Sequence, residues 1–307
     1  LKKILFLFVT AVLLVGCSSN NASENLGEDE KPLVITTTGQ IADAVKEIAG
    51  DHVEVKSLMG PGVDPHLYKA TQGDLQTLEK GDIIFYNGLE LEGKMSDIFE
   101  KMKKEKTVIA IGEAIPKDQI LSNELHPNLS DPHIWFDINV WKLATKEITK
   151  TLSKEMPDYK EEFTKNEEAY FTKLSELSDW ADKRISEIPE KQRVLVTAHD
   201  AFNYFGNSHG MEVRGLQGLS TDSEYGLKDI QNIVDFLVKK NIKAVFVESS
   251  VSDKAMKAVI EGAKEKGHTI QIGGQLYSDA MGAEGTEEGT YIGMYKHNIN
   301  TIVDSLK

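Results

Sequence analysis

PDYKEEFTKNEEAYFTKLSELSDWADKRISEI, residues 157–188, is the stretch that decides the fold. Its apolar residues Tyr159, Phe163, Tyr170, Leu174, Leu177, Ala181, Ile185 and Ile188 recur at steps of three, four or seven, the spacing of one helix face. Pro157 suits a first helical position, Pro189 ends the run, and no glycine interrupts it. The spacing predicts one helix about 48 Å long at 1.5 Å per residue. Such a helix is either an arm of a coiled coil or a strut between two lobes. The sequence on its two sides favours the strut.

Before it, short β-branched runs alternate with amphipathic stretches. Strands are expected at Leu33–Thr37, Val53–Leu58, Ile83–Tyr86 and Val108–Ile111, with helices at Gln40–Ala49, around Asp74–Glu79 and near Glu92–Lys104. The pattern restarts after it, with strands at Val194–Thr197, Glu212–Gly215, Ala244–Val247 and Thr269–Ile272. Helices are expected between them near Leu227–Lys239 and Asp253–Lys266. Strands alternating with helices indicate βαβ units and parallel sheets. The expected class is therefore α/β: two lobes with parallel-type sheets, residues 32–156 and 189–307, joined by one long rigid α-helix over 157–188.

The N-terminal residues bear on location. Lys2 and Lys3 precede an apolar run from Ile4 to Val15, followed by Leu14-Val15-Gly16-Cys17. A basic segment, an apolar stretch and a small residue before a cleavage point make a secretory signal over 1–17. The run is too short to cross a bilayer, which needs roughly 18 or more apolar residues. Leu-Val-Gly-Cys resembles a bacterial lipobox, which implies that Cys17 is lipidated and holds the chain to the outer face of the cell membrane. Residues 18–31, SSNNASENLGEDEK, have almost nothing to bury and read as a disordered tether. Cys17 is the only cysteine, so a metal site in the exported part must use nitrogen and oxygen donors. Loss of the signal takes away two lysines and moves the formal charge from −14 to −16. An acidic domain disfavours nucleic acid and anionic lipid and suits a cationic ligand.

Of the eight histidines, His52, His126, His209, His268 and His297 lie among polar neighbours without a shared motif and read as surface or satisfied residues. Two others share a tripeptide, Asp64-Pro65-His66 and Asp131-Pro132-His133, each in a loop after an expected strand. Proline stiffens the backbone that presents the imidazole. The aspartate two residues earlier can take the proton of the far ring nitrogen and set the tautomer. His199, in Thr197-Ala198-His199-Asp200, follows a strand, and Asp279 follows another in Leu276-Tyr277-Ser278-Asp279. Ligands of open parallel sheets gather beyond the carboxyl ends of strands, so such positions can converge. Taken singly, Asp279 reads as well as a helix cap.

GPGVDPHLYKAT at 60–71, DPHIWFD at 131–137, TAHDAFNYF at 197–205 and LYSDAMG at 276–282 together give a chain that resembles the TroA-like metal-receptor lipoproteins of bacterial manganese and zinc ABC importers. The likeness covers nearly the whole mature chain. It implies two α/β lobes on one long helix, and one divalent ion in the cleft held by His66, His133, His199 and Asp279. It also implies a cognate membrane permease with a cytoplasmic ATPase, a monomeric receptor and no catalytic role. Three imidazoles and a carboxylate hold zinc well, whereas a bidentate Asp279 would suit manganese. Zinc-dedicated relatives carry a histidine-rich loop between the first two ligands, and residues 112–130 hold only His126. Manganese-dedicated relatives often place Glu where this chain has His199. Manganese is favoured over zinc.

Two other classes make different demands. A secreted metallohydrolase needs an open metal position and a base, and no His-Glu-x-x-His is present. A surface adhesin with a structural metal would unfold on chelation, which a receptor should survive.

Overall fold

The computed structural model describes residues 31–122 and 129–307. The expected signal 1–17 with Cys17, the tether as far as residue 30, and His126 lie outside the described residues. Residues 32–307 form one compact unit.

The first half runs β1 (Leu33–Thr36), α1 (Gly39–Ala49), β2 (Glu54–Ser57), α2 (Gln72–Lys80), β3 (Ile83–Tyr86), α3 (Ser96–Met102) and β4 (Thr107–Ala110), followed by α4 (Ile138–Glu155). Its four strands form one parallel sheet in the order β2-β1-β3-β4. After the long helix α5 (Lys160–Ile185) come β5 (Val194–His199), α6 (Asn203–His209), β6 (Glu212–Gln217), α7 (Leu227–Lys240), β7 (Ala244–Glu248), α8 (Lys254–Glu265), β8 (Gln271–Leu276) and α9 (Tyr291–Leu306). Here the strands pair in parallel as β5-β6 and β7-β8, and β5 lies beside β7.

A parallel sheet must be covered on both faces. On the first sheet one face packs Ile35, Ile84 and Val108 against Leu78 of α2 and Phe99 of α3. In the second half Val196 and Val245 meet Val234 of α7 and Val259 of α8. The remaining faces turn towards each other and share a single apolar interior. Val34 and Phe85 of the first sheet, Leu195 and Phe246 of the second, and buried residues of α1, α4, α5 and α9 all belong to it. The strut therefore crosses a common core; α5 packs on α1 and α4 of one half and on α9 of the other. No described helix is long and apolar enough to cross a membrane.

Three differences from the sequence reading have physical causes. The long helix starts as a 3-10 turn at Pro157–Tyr159 and its α-helical part ends at Ile185. Glu187 and Ile188 then donate to residues three back, because Pro189 disfavours a helical conformation before it. The last strand runs Gln271–Leu276, not 269–272, and carries Gly273 and Gly274. A Cβ on Gly273 would sit 2.7 Å from Phe246 and 2.9 Å from Ser305 of α9, so the glycine that looks like a strand end is what lets α9 lie close. Finally, α4, α6 and α9 occupy stretches to which the sequence reading assigns no element.

Candidate metal centre

Two of the four candidate residues sit at or just beyond a strand's carboxyl end and two in loops of the first half. His66 lies in the loop after β2, and His133 precedes a 3-10 turn at Ile134–Phe136 that leads into α4. Asp137 caps that helix, its carboxylate accepting the N–H groups of Asn139 (2.8 Å) and Val140 (3.2 Å). His199 is the last residue of β5, and Asp279 follows β8 by three residues.

The structure brings all four together. One donor atom of each lies within 4.8 Å of those of the others, and the residues are 4%, 0%, 0% and 2% exposed in chain order. His133 Nε2 is 3.3 Å from His66 Nε2 and 3.4 Å from His199 Nε2. Asp279 Oδ1 lies 3.5 Å from His133 Nε2, and Oδ2 lies 3.4 Å from His199 Nε2 and 3.9 Å from His66 Nε2. A tetrahedron of donors about 2.1 Å from a central ion has edges of about 3.4 Å, so these spacings suit one first-row divalent ion. Both Asp279 oxygens are buried without a hydrogen-bond partner, and both face imidazole nitrogens.

The far ring nitrogens decide what the near ones carry. His133 Nδ1 meets Asp131 Oδ1 at 2.8 Å, as the tripeptide suggests, and His199 Nδ1 meets Glu248 Oε2 at 2.5 Å. A carboxylate there takes the Nδ1–H, which leaves the Nε2 lone pair free. His66 differs. Asp64 Oδ1 accepts the backbone N–H of His66 at 2.9 Å, and the hydrogen bonds of its carboxylate do not include the ring. The tautomer-setting role expected of both aspartates is thus filled by Asp131 alone.

Lone pairs and a carboxylate aimed at one buried point repel unless a cation sits among them. In the metal-free chain a proton serves. Burial alone would push the His199 imidazolium down, but the Glu248 and Asp279 carboxylates overcome this and hold it well above its ordinary 6.5. Burial raises Asp279, yet the histidines, His199 foremost, hold it well below the usual carboxylate range. His66, with burial dominant, is pushed down to about 3.

The halves brace one another's candidate ligands. Trp135 Nε1 donates to the Ser278 carbonyl (3.1 Å), and Gln40 Nε2 donates to the Asp279 carbonyl (3.2 Å). Asn203 Nδ2 in turn donates to Asp131 Oδ2 (3.1 Å). Within the second half, His199 is braced by backbone against backbone. A Cβ on Gly215 of β6 would fall 2.5 Å from the Asp200 nitrogen, just after His199. Gly215→Ala is therefore expected to force β6 away from β5, lowering the melting midpoint and weakening metal uptake together; unchanged values for both would show that the strands tolerate the methyl.

Glu248, Gln40 and Trp135 carry no local sequence signal, because each pairs with a residue distant along the chain. Four of the histidines read as bland are hydrogen-bonded or ion-paired elsewhere: His52 with Glu162, His209 with Asp182 and Tyr295, His268 with the Ile242 carbonyl and His297 with the Gln275 carbonyl.

Two lobes on a long helix, with two donors from each half meeting in a sealed polar cage, define the class of helix-backed metal-binding receptors. Residues 34–305 match the family model described as ZnuA, zinc-uptake complex component A, periplasmic, and the chain belongs to this family. It is 56% identical over 301 residues to the manganese-binding lipoprotein MntA of Bacillus subtilis, covering 98% of this chain and 97% of that one. It is 47% identical to the zinc-binding protein TroA of Treponema pallidum, covering 96% and 95% of the two chains. The solved structure of the periplasmic zinc-binding TroA superposes with a TM-score of 0.87 at 48% identity, covering 90% of this chain and 99% of that one. Fe(III)-bound YtgA of Chlamydia trachomatis superposes with a TM-score of 0.80 at 30% identity, covering 90% and 98%.

Proposed function

We propose that this chain is the extracytoplasmic receptor of an ABC importer, capturing one divalent transition-metal ion between His66, His133, His199 and Asp279. The observation that carries the reading is the pair of buried, unpartnered Asp279 oxygens facing three imidazole nitrogens. Manganese is the favoured ion and zinc the second. A carboxylate with both oxygens turned inward can add a fifth bond, which a hard ion accepts readily, and the relative at 56% identity is named for manganese. The 47% relative, named for zinc, keeps zinc in play. Four protein donors leave little room for an activated water, which favours capture over hydrolysis. In this reading residues 1–17 are the signal and Cys17 the lipid anchor. The lobes span 32–156 and 189–307 around the 157–188 segment, and the monomeric receptor hands its ion to a membrane permease.

The test is a titration of metal-stripped protein lacking residues 1–17 with manganese and with zinc, repeated for His66→Ala and Asp279→Ala. One ion per chain, lost in both variants, is expected. Uptake that survives both substitutions would remove the site, and the order of the two affinities ranks the metals.

Cation and proton compete for the same lone pairs, so affinity should rise with pH. Because His199 holds its proton well above pH 6.5 in the metal-free chain, capture at pH 7 must expel it. Calorimetry in two buffers of different ionisation heat should read about one proton released per ion; identical heats in both would contradict that assignment.

Since the halves share one interior, capture should involve a small local rearrangement. X-ray scattering of loaded and stripped protein is expected to give matching radii of gyration, and a large difference would mean that the core parts.

A further inference from the structure

The four ligands are not equally secured. His133 and His199 each have a ring nitrogen tied to a buried carboxylate, whereas His66 is held only through its backbone, by Asp64 Oδ1. It is also the most exposed of the four, and Leu67 beside it is 46% exposed.

What holds Asp64 comes from the other half. Its second oxygen, Oδ2, accepts the hydroxyl of Thr221 at 2.6 Å. Thr221 lies in the segment 218–226, GLSTDSEYG, which leaves β6 immediately after Gln217. Gln217 is the register partner of His199, and its side-chain amide donates to the carbonyls of Thr221 and Ser223, both at 3.1 Å. The Asp200 N–H donates to the Gly218 carbonyl at 3.3 Å. The segment is thus rooted at the ligand of one half and grips the carboxylate that positions the ligand of the other. A second link, Lys94 to Asp222 at 2.8 Å, crosses in the same place but is solvent-exposed and contributes little.

We propose that Thr221 is a positioning residue for metal retention: its hydroxyl clasps Asp64 across the cleft, keeps His66 on the ion, and must let go for the ion to leave. The inference rests on the metal-capture reading. The clasp draws His66 towards the far half without touching the ion, so its loss should speed release and leave association nearly unchanged. A hydrogen bond to a half-buried carboxylate such as that of Asp64 corresponds to roughly a tenfold change in rate.

The test compares the parent chain with Thr221→Val, which keeps the shape and deletes the hydroxyl, and Thr221→Ser, which keeps the hydroxyl. Each is loaded with manganese or zinc and mixed rapidly with excess chelator. Release from Thr221→Val about tenfold faster than the parent is expected, with Thr221→Ser within about twofold of it. Association rates should be alike for all three, and the metal-free melting midpoint of Thr221→Val should lie at most a few degrees below the others. Equal release from the valine and serine variants overturns the clasp even if both differ from the parent, because the hydroxyl is then irrelevant. A parent chain that takes up neither ion overturns the receptor reading itself, a separate failure.

Discussion

Asp279→Asn is expected to lower the affinity for manganese and zinc by a hundredfold or more while leaving the chain folded. Asparagine matches the shape of the carboxylate but removes its charge and replaces one oxygen by an N–H donor aimed at the ion. No other group can compensate, since neither Asp279 oxygen has a hydrogen-bond partner and the remaining three donors are imidazoles, which carry no negative charge. Breaking a buried charge pairing typically costs about 3–5 kcal/mol, which corresponds to roughly two to three and a half orders of magnitude in affinity. Competition against a chelator of known affinity measures it. A change below about tenfold would place Asp279 off the ion.

Glu248→Ala should be the most damaging change among residues that do not face the ion. Glu248 is 2% exposed and accepts both the backbone N–H of His199 (2.8 Å) and its ring. Its removal orphans a buried N–H and frees the ring to choose the wrong tautomer. Stability should fall by about 3 kcal/mol and metal affinity by roughly 10–100-fold. Glu248→Gln separates the two effects. Its amide oxygen can still accept the backbone N–H, but its NH₂ then faces Nδ1 and favours the tautomer that puts a proton on Nε2. Near-parental melting with weakened metal binding is the expected pattern, and parental binding would show that Glu248 does not set the His199 tautomer.

The contrast between Asp279 and Glu248 shows what was legible in the sequence. The long helix and most strands follow from local periodicity, which the chain displays residue by residue. Asp131 was legible because its partner is two residues away and Pro132 fixes the turn between them. Glu248 was not, because it lies at the end of β7, 49 residues from His199, and the link exists only once β5 lies beside β7. The convergence of the four ligands entered through family resemblance, since spacing alone left each histidine and Asp279 with a bland alternative. Among the unassigned helices, α4 was within reach: Ile138, Trp141, Ala144, Ile148 and Leu152 keep a helical step and are all buried. Helix α9 hides its pattern behind Gly293, Asn298 and two tyrosines, which are buried because partners elsewhere in the chain satisfy their polar atoms. Tyr291 and Tyr295 donate to the carbonyls of Trp135 and Phe136, and the Asn298 side chain pairs with the backbone of Tyr277.

Trp141 of the first half, Tyr170 of the strut, and Tyr291 and Tyr295 of the second half lie in the same cluster, so neither half owns a complete inside. Cut at the strut, each piece would bare a wide aromatic wall to water and clump. Heat should accordingly dismantle both in one step, as a single calorimetric peak. Grafting the half of one relative onto another would demand that every residue of that wall be matched, so the two pairs of candidate ligands are expected to be exchangeable only together.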